Sequence, residues 1–488
     1  QPFVIVAQER LARTAGARLA WLSPQAEQRL TGYLSERLVA LARPTLEHES
    51  PTLLRGFSRP QAEIPGLPGK SRPPDLWAIC RGYPLLARQL STTAAHWVDA
   101  ALEFLSRLAA DWDDLADAIR MNLPHPLPSA FVRNLHPGLS DPHRGGRTVW
   151  RVDLAGGATV AYKPKNLTRD RAWNDLLAWC NARGLAPSLR PLWTLLRPGY
   201  GWMEWAESDA SGDDAERQRY YRRAGVLLGL LHLLHAADAH GENLIRQGAH
   251  PLLIDGEMLL YPQVAGQAAD DPLDVMRTGL LPRWIVREAE VAEIGGLPAE
   301  SGTSCREEIV AGYETLCHFV EAHWDALHAA DGPLHAFHQG VVRFAPRPTA
   351  AYLRLLDHLR HPSFLRRGVD FSIAADRLAR AYASDPQKEC LRHLLAEEHA
   401  ALGQGDVPIF SVAAGSDRAE LSFIWPPFAL PCQPYRGSKP VSSAKVWTAR
   451  PGSPHQTTRP SPSWPMRWGW ADCWRSGLCR WRVGVWAG

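Results

Sequence analysis

Near the middle of this 488-residue chain, two acidic side chains and an asparagine are spaced in a way that constrains the fold more than any other feature. Asp238 and Asn243 lie five positions apart in a polar stretch. They directly follow residues 220–237, which are apolar at helical intervals with charges bunched at the start. Asp255 then follows the apolar run at residues 252–254. This pattern predicts a largely buried helix, a polar loop and a short strand that ends at a carboxylate.

This order of polar residues is typical of phosphotransferases. In the protein-kinase pattern a loop Asp orients the acceptor hydroxyl, while an Asn five positions later and an Asp after the next strand hold Mg²⁺ on the nucleotide phosphates. Asp238, Asn243 and Asp255 reproduce that order. The order predicts an enzyme that uses ATP and Mg²⁺. Taken alone, Asp238 and Asn243 are equally typical of helix caps and turns, because their short side chains bond to local backbone.

A strand and a glycine-rich turn upstream extend the pattern. Residues 159–163 alternate as a strand and stop at a proline, so that Lys163 corresponds to the kinase lysine that pairs with nucleotide phosphates. Gly145 and Gly146 precede the partner strand, which returns across residues 155–157. Glycine in such a turn lets backbone N–H groups approach phosphate oxygens. Taken singly, the glycines are typical of a hairpin turn and Lys163 of a solvated strand end; their order favours a nucleotide site.

In kinases the strand lysine pairs with a glutamate on the next helix. The helix predicted here at residues 170–181 contains no Glu. Asp175 is one candidate for the partner of Lys163, and a residue from elsewhere in the chain is another.

The whole set of motifs resembles the dehydratase domain of type 2 lanthipeptide synthetases, the LanM enzymes, over roughly residues 135–421. The matching motifs are, in chain order, Ser140-Asp-Pro-His-Arg-Gly-Gly-Arg-Thr-Val149, Ala161-Tyr-Lys-Pro-Lys165, Asp238-Ala-His-Gly-Glu-Asn243, Leu253-Ile-Asp-Gly-Glu257, Arg343-Phe-Ala-Pro-Arg-Pro-Thr349 with Tyr352, His361-Pro-Ser-Phe-Leu365 and Gly405-Asp-Val-Pro-Ile-Phe410. The resemblance implies an α+β fold with a kinase-like, two-lobed core and additional helical segments.

The resemblance also implies a two-step reaction on a ribosomally made precursor peptide, which consists of a leader and a Ser/Thr/Cys-rich core. ATP and Mg²⁺ serve to phosphorylate Ser and Thr, and elimination of the phosphate then gives dehydroalanine and dehydrobutyrine. Phosphorylation replaces hydroxide, a poor leaving group, with phosphate, a good one. Elimination needs a base for the Cα proton and cations that stabilise the departing phosphate.

By the same resemblance, the candidate residues divide into two sets. The phosphorylation set is Lys163, Asp238, His240, Asn243, Asp255 and Glu257, with Asn243 and Asp255 as the metal ligands. The elimination set is Asp141, His143, Arg343 and Thr349. The guanidinium of Arg343 suits a phosphate because it grips two oxygens at once. Without these neighbours, Arg343 is typical of a salt-bridged strand residue, His143 of a turn and His240 of a loop.

Four regions are expected along the chain. Residues 1–130 form a helical N-terminal region with a Pro/Gly-rich linker at 60–74, and residues 131–262 form the kinase-like core. Residues 263–425 form a mainly helical lobe that carries the elimination residues. Residues 426–488 form an aberrant Trp/Arg/Pro-rich tail, in which nine Lys and Arg face a single acid, Asp472. The mildly basic balance therefore comes from the tail and does not indicate a nucleic-acid surface. A frameshifted tail and a disordered extension both fit this composition.

The cysteine content and the hydropathy of the sequence narrow the class of protein further. Eight scattered cysteines without a Cys-x-x-Cys pair are typical of reduced thiols in a cytoplasmic protein. The cyclase half of the family resembles a zinc enzyme with two Cys and a His. Cys317-His318 is such a dipeptide, but it lies in a helical pattern of the dehydratase region, so we expect a chain truncated before the cyclase domain. No apolar run is long enough to span a membrane.

Two other interpretations stay open. A small-molecule or peptide hydroxyl kinase without elimination also uses an Asp, an Asn and a later Asp, but it has no use for the motifs at residues 140–149 and 343–349. An inactive, truncated remnant is the other interpretation.

Overall fold

The fold mixes helices and strands. The computed structural model describes residues 1–49, 76–120, 129–262, 274–287, 290–298, 303–383, 391–413 and 419–421. The predicted linker at 60–74 and the predicted tail at 426–488 lie outside these residues.

The helices of the described ranges lie mainly before residue 119 and between residues 303 and 403. They are α1 (Pro2–Ala15), α2 (Pro24–Glu49), α3 (Leu76–Gly82), α4 (Pro84–Ala118), α5 (Thr168–Ala182), α6 (Asp214–Leu233), α7 (Thr303–Ala322), α8 (Trp324–His328), α9 (Thr349–Leu359), α10 (Pro362–Leu365), α11 (Gly368–Ala375), α12 (Arg377–Ala383) and α13 (Leu395–Gly403). Short 3₁₀ segments cover Gly16–Trp21, Val275–Thr278 and Pro333–His338.

The strands of the described residues form one larger sheet, one three-stranded sheet and two hairpins. They are β1 (Val132–His136), β2 (Trp150–Leu154), β3 (Thr159–Lys163), β4 (Thr194–Arg197), β5 (Tyr200–Glu204), β6 (Leu244–Gln247), β7 (His250–Leu253), β8 (Arg283–Arg287), β9 (Glu290–Ile294), β10 (Val341–Phe344), β11 (Phe410–Ala413) and β12 (Ala419–Leu421). The sheets run β1-β2-β3-β5-β4 and β10-β11-β12, and β6-β7 and β8-β9 are the hairpins.

The strand that ends at Lys163 lies in the middle of the five-stranded antiparallel sheet. β2 and β3 pair with Trp150 opposite Tyr162, so the predicted return of the chain across residues 155–157 is confirmed. Successive side chains of a strand point to opposite faces. Tyr162 therefore packs on the face that meets the N-terminal helices, whereas Ala161 packs on the other face, against Leu252 of β7. Lys163 has the same parity as Ala161, which places it on the side of the β6–β7 hairpin.

The N-terminal helices and the sheet share one hydrophobic core. Phe104 of α4 is fully buried. Its ring centroid lies 4.9 Å from that of Trp150, 5.3 Å from that of Tyr162 and 6.1 Å from that of Trp202. The residues on the two sides of position 130 therefore support each other, and α4 backs the strand that carries Lys163.

A second core surrounds α6, the helix that delivers the polar loop. α6 covers most of the predicted buried stretch and is buried along its C-terminal half. Asp213 caps its start by accepting the backbone N–H of Glu216 at 2.8 Å. α6 crosses α7 where both helices carry glycine. A Cβ at Gly225 would overlap the carbonyl oxygen of Ile309, and a Cβ at Gly312 would overlap that of Arg222.

The region predicted to be mainly helical also contains strands. β10 pairs with β11 and sets Arg343 opposite Ser411. The arrangement as two kinase-like lobes stays a prediction. Within the described ranges, no helix has the length and apolar character needed to cross a membrane. Among the described residues, the cysteines Cys80, Cys180, Cys305 and Cys317 form no disulfide bond.

Candidate active site

Lys163 ends β3 inside the protein, with only 6% of its side chain exposed. Its ammonium donates to the carbonyl of Ile254 and lies 3.6 Å from Asp170 Oδ1. Asp170 is in the first turn of α5, so the helix after the strand supplies a carboxylate as in kinases, although not from the candidate position. Asp175 instead pairs with Arg171 at 2.9 Å on the exposed side of α5. The sequence offered an indication of this pairing, because Asp170 is an acidic residue at the start of the predicted helix.

The polar loop after α6 is held by its own hydrogen bonds. Asn243 Nδ2 donates to the backbone carbonyl of Asp238 at 2.9 Å and to its Oδ2 at 3.3 Å. His240 Nε2 lies 3.0 Å from Asp238 Oδ1. This hydrogen bond raises the pKa of His240 above its usual value. Asp238 has φ +73°, a left-handed conformation that non-glycine residues rarely adopt. The predicted residues Asp238, His240 and Asn243 therefore form one hydrogen-bonded unit.

The β6–β7 hairpin brings Asn243 and Asp255 to the same end. Leu244 is opposite Leu253 in the hairpin, and the N–H of Ile254 donates to the carbonyl of Asn243 at 3.0 Å. Because Asn243 uses its Nδ2 for the loop, its Oδ1 remains as an acceptor. Asp255 follows Ile254 directly, so the two predicted metal ligands come from adjacent backbone.

The donor set fits Mg²⁺ in a nucleotide site. In the described ranges, no three His, Cys, Asp or Glu side chains converge as a self-contained metal site. Mg²⁺ bound to a nucleotide needs only one or two protein ligands, because phosphates and water supply the rest. Asp170 Oδ2 is buried and accepts no hydrogen bond from the described residues. Burial raises the pKa of Asp170, and the nearby Asp255 charge raises it further. A cation at Asp255 and Asn243 would relieve this repulsion.

A chain of charges runs from Asp255 to Arg343. The ammonium of Lys165 contacts Asp255 Oδ2 and lies 2.8 Å from Glu257 Oε2. The other oxygen of Glu257, Oε1, contacts the guanidinium of Arg343. The backbones also meet here, because the N–H of Arg343 donates to the carbonyl of Glu257 at 2.9 Å. Glu257 therefore joins the predicted phosphorylation residues to the predicted elimination residues.

The pKa values reflect this alternation of charge. Burial alone would raise the pKa of Glu257, but Lys165 and Arg343 outweigh it and hold that pKa far below its usual range. Burial would lower the pKa of Arg343, yet the carboxylates of Glu257, Asp255 and Asp238 raise it. Glu257 and Arg343 are therefore both charged at neutral pH. Lys165 has no assigned role in the predicted site, although it lies in the same motif as Lys163.

The turn that carries Asp141 and His143 lies against the same cluster. His143 Nδ1 lies 2.7 Å from the carbonyl oxygen of Val407. Burial lowers the pKa of His143 to about 4, and the positive charge of Arg343 contributes to the shift. Burial raises the pKa of Asp141, and the charge of Arg343 opposes that shift. Arg343 is thus within electrostatic reach of both predicted partners.

The prediction that Gly145 and Gly146 offer their N–H groups to phosphate needs correction. Both have left-handed φ angles, +86° and +71°, and both N–H groups point to the carboxylate of Asp406. The distances are 2.5 Å from Gly145 N to Asp406 Oδ2 and 2.9 Å from Gly146 N to Oδ1. A protein carboxylate therefore occupies the place predicted for a phosphate. No local spacing indicated this contact, because Asp406 lies in a distant motif.

The last predicted residue, Thr349, begins α9 six positions after Arg343. In the described part of the chain its hydroxyl makes no hydrogen bond with the charge cluster. The neighbouring motif residues have a structural role, since Arg347 Nε lies 2.8 Å and the Tyr352 hydroxyl 2.5 Å from Oε1 of the fully buried Glu398. The motif at residues 343–349 therefore contains one residue of the candidate site, Arg343, and one residue that forms a buried ion pair, Arg347.

Comparison with known proteins gives two matches. The sequence profile of the family described as "Domain of unknown function (DUF4135)" matches residues 83–308 and 303–413. A segment of 108 residues is 33% identical to the lacticin 481/lactococcin biosynthesis protein LcnDR2 of Lactococcus lactis subsp. lactis. That segment covers 20% of this chain and 12% of the relative, so the match spans a small part of the longer protein.

Proposed function

We propose that this chain is a peptide dehydratase of lanthipeptide biosynthesis. It belongs to the DUF4135 family, and its matches confirm the resemblance to type 2 lanthipeptide synthetases. These matches and the geometry of the site support the proposal. The proposed substrate is a precursor peptide with Ser and Thr in its core. The chain phosphorylates these hydroxyls with ATP and then eliminates the phosphate to leave dehydroalanine and dehydrobutyrine.

The observation that carries the proposal is the position of Glu257 between two cations. Lys165, beside Asp255, binds one oxygen of Glu257 and Arg343 binds the other. A kinase without elimination needs no guanidinium at this point. The contact supports a single site in which a phosphate can pass from the nucleotide to the peptide and then leave the peptide next to Arg343.

In the phosphorylation step, Asp238 accepts a hydrogen bond from the Ser or Thr hydroxyl and orients its oxygen toward the γ-phosphate. His240 and Asn243 fix the Asp238 carboxylate through the hydrogen bonds described above. Lys163, held by Asp170, offers its ammonium to phosphate oxygens. Asp255 and Asn243 would hold Mg²⁺, which neutralises phosphate charge when bound.

In the elimination step, the neutral imidazole of His143 takes the Cα proton of the phosphorylated residue. The electron pair of the Cα–H bond forms the Cα=Cβ double bond, and the Cβ–O bond breaks with its electrons going to the phosphate. Arg343 binds the departing phosphate with parallel N–H groups. The carboxyl group of Asp141 is within electrostatic reach of Arg343 and helps to orient it. Transition-state charge is stabilised most effectively by such preorganised donors.

Two variants separate the steps, with intact mass of the precursor peptide as the measurement. Asp255→Ala removes a metal-binding carboxylate, so the peptide should gain no phosphate and lose no water. Arg343→Met should still phosphorylate, but elimination should slow by about a hundredfold and phosphopeptide should accumulate. The exposed Arg354 on the adjacent helix α9 gives a matched control, and Arg354→Met should dehydrate like the wild type. Dehydration by Arg343→Met without accumulated phosphopeptide would refute the role of Arg343.

A hydroxyl kinase without elimination is the alternative that this experiment also judges. It predicts a wild-type protein that adds phosphate to its acceptor and removes no water.

A further inference from the structure

The segment Gly405-Asp-Val-Pro-Ile-Phe410 has no role in the two steps described so far, yet it contacts the turn that carries His143. It connects α13 to β11 and is buried at Asp406 and Val407, each 1% exposed. A buried carboxylate is costly unless hydrogen bonds satisfy it. The contacts of Asp406 therefore indicate what the segment does.

Asp406 holds the glycine turn through two backbone donors. The N–H groups of Gly145 and Gly146 converge on its two carboxylate oxygens at 2.5 and 2.9 Å. Successive backbone N–H groups in a turn can form a concave nest that binds an anion. A side chain at Gly146 would crowd the guanidinium of Arg37, whose nearest atom would lie 2.9 Å from a Cβ. The nest is thus closed around a carboxylate of the protein itself.

Val407 fixes the adjacent residues of the same turn. Its N–H donates to the carbonyl of Pro142 at 2.8 Å. Its carbonyl oxygen lies 2.7 Å from His143 Nδ1. A carbonyl oxygen can only accept a hydrogen bond, so the imidazole proton must be on Nδ1. The lone pair of the neutral ring is then on Nε2, the nitrogen that remains for proton transfer.

The same segment also continues into the strand that pairs with the Arg343 strand. β11 starts at Phe410, which is opposite Phe344, and Arg343 is opposite Ser411. Residues 406–411 therefore connect the turn that carries His143 to the strand that carries Arg343. Any shift of Asp406 or Val407 would change the position of His143 relative to Arg343.

We propose that the segment at residues 405–410 is a positioning element for elimination, in which Asp406 holds the Gly145–Gly146 turn and the Val407 carbonyl keeps the imidazole of His143 in its Nδ1–H form. This role rests on the proposed dehydratase function. Asp406 and Val407 touch neither peptide nor nucleotide in this account; they act through His143. The phosphorylation half, held by the β6–β7 hairpin and α5, does not depend on them.

The test compares the ratio of phosphopeptide to dehydrated peptide in Asp406→Asn and the wild type. Asn keeps one acceptor oxygen but presents an NH₂ group to one of the glycine N–H groups. We expect phosphorylation within about threefold of the wild type and a rise of about tenfold or more in the ratio, because small misplacements of catalytic groups slow a step strongly. Asp357→Asn, an exposed acid on α9, should leave the ratio unchanged.

Each other outcome has a defined meaning. An unchanged ratio in Asp406→Asn, or a parallel fall of both steps, would overturn the positioning role, because a general structural defect slows both steps alike. A wild-type protein that yields neither product would refute the dehydratase function itself, whereas a dehydrating wild type with an unaffected variant refutes the positioning role alone.

A second measurement needs no substrate and determines which nitrogen of the His143 imidazole carries the proton. In protein labelled with ¹⁵N-histidine, the resonances lost in His143→Gln identify His143. We expect the wild type to show a protonated Nδ1 and an unprotonated Nε2 near neutral pH, and Asp406→Ala or Asp406→Asn to show exchange between the two tautomers. A wild-type imidazole with its proton on Nε2 would overturn the proposal even if the variants fail to fold.

Discussion

Asp170 and Asp175 lie five positions apart on α5 and differ in what they contact. Asp170 forms a buried pair with Lys163, while Asp175 pairs with Arg171 where both side chains are more than half exposed. Removing one partner of a buried pair leaves an uncompensated charge. We therefore predict that Asp170→Ala lowers the free energy of unfolding by about 3 kcal/mol and abolishes the rise in melting temperature caused by Mg²⁺–ATP.

Asp175→Ala is the matched control, because an exposed pair contributes less than about 1 kcal/mol. Urea denaturation gives the free energies, and thermal melts with and without nucleotide give the second readout. Equal effects of the two substitutions would contradict the assignment of Asp170 as the partner of Lys163.

The lowered pKa values of two buried histidines predict how the stability of the protein changes with pH. The folded pKa is lowered to about 4 for both His143 and His235, mainly by burial, from an ordinary value of 6.5. The unfolded chain therefore binds more protons than the folded chain between pH 6.5 and 4, so their contribution to stability is present above this window and is lost as the pH falls through it. His143→Gln and His235→Gln should each reduce the loss of stability across this window.

The measurement is urea denaturation at a series of pH values. The exposed His318 on α7 provides the control variant, His318→Gln, which should follow the wild-type curve. A wild-type slope in both buried-histidine variants would show that these residues do not stay neutral in the folded protein.

Several site residues could be predicted because their signals are local. The spacing of Asp238, Asn243 and Asp255 is a short-range pattern, and the structure joins these residues through one loop and one hairpin. The contact of Asp406 with Gly145 could not be predicted, since it joins residues far apart in sequence. Phosphate and carboxylate satisfy a glycine turn by the same chemistry, so the turn alone did not distinguish them.

At the scale of elements, the approach of α6 to α7 depends on glycine. A methyl group at Gly225 would overlap backbone atoms of Ile309, which cannot move aside as a side chain can. We predict that Gly225→Ala lowers the free energy of unfolding by at least about 2 kcal/mol, because the two helices must separate. Gly32, in α2, has open space at the position that a Cβ would occupy. Gly32→Ala should instead stabilise the protein by about 0.5–1 kcal/mol, since Ala is the better helix former.

Denaturant titration of the two glycine variants gives both values. A Gly225→Ala variant as stable as the wild type would mean that α6 and α7 do not pack as closely as described.

The bounds of a helix or strand could be predicted where burial of one or both of its faces leaves a periodic pattern of apolar residues. β3 has the predicted bounds because alternation and a following proline define both ends. The β10–β11 pairing was not foreseen, because its strands are short and widely separated in sequence. Pairing across such a distance leaves no local pattern.

For the molecule as a whole, the N-terminal helices and the central sheet form one core rather than adjacent units. Phe104 on α4 packs against rings from β2, β3 and β5. Apolar periodicity predicted the helices but not their partner, since an amphipathic helix shows that a face is buried and not what covers it. Because α4 packs on the strand that ends at Lys163, the position of Lys163 depends on the region before residue 130.

We propose that one site both adds and removes phosphate. The intact mass of a Ser/Thr/Cys-rich precursor peptide, measured after incubation with this chain, ATP and Mg²⁺, is the decisive test of this proposal. We expect loss of water at several Ser and Thr positions, with phosphopeptide as a transient species that precedes the dehydrated product. A peptide that keeps added phosphate and loses no water would show that the site does not carry out elimination.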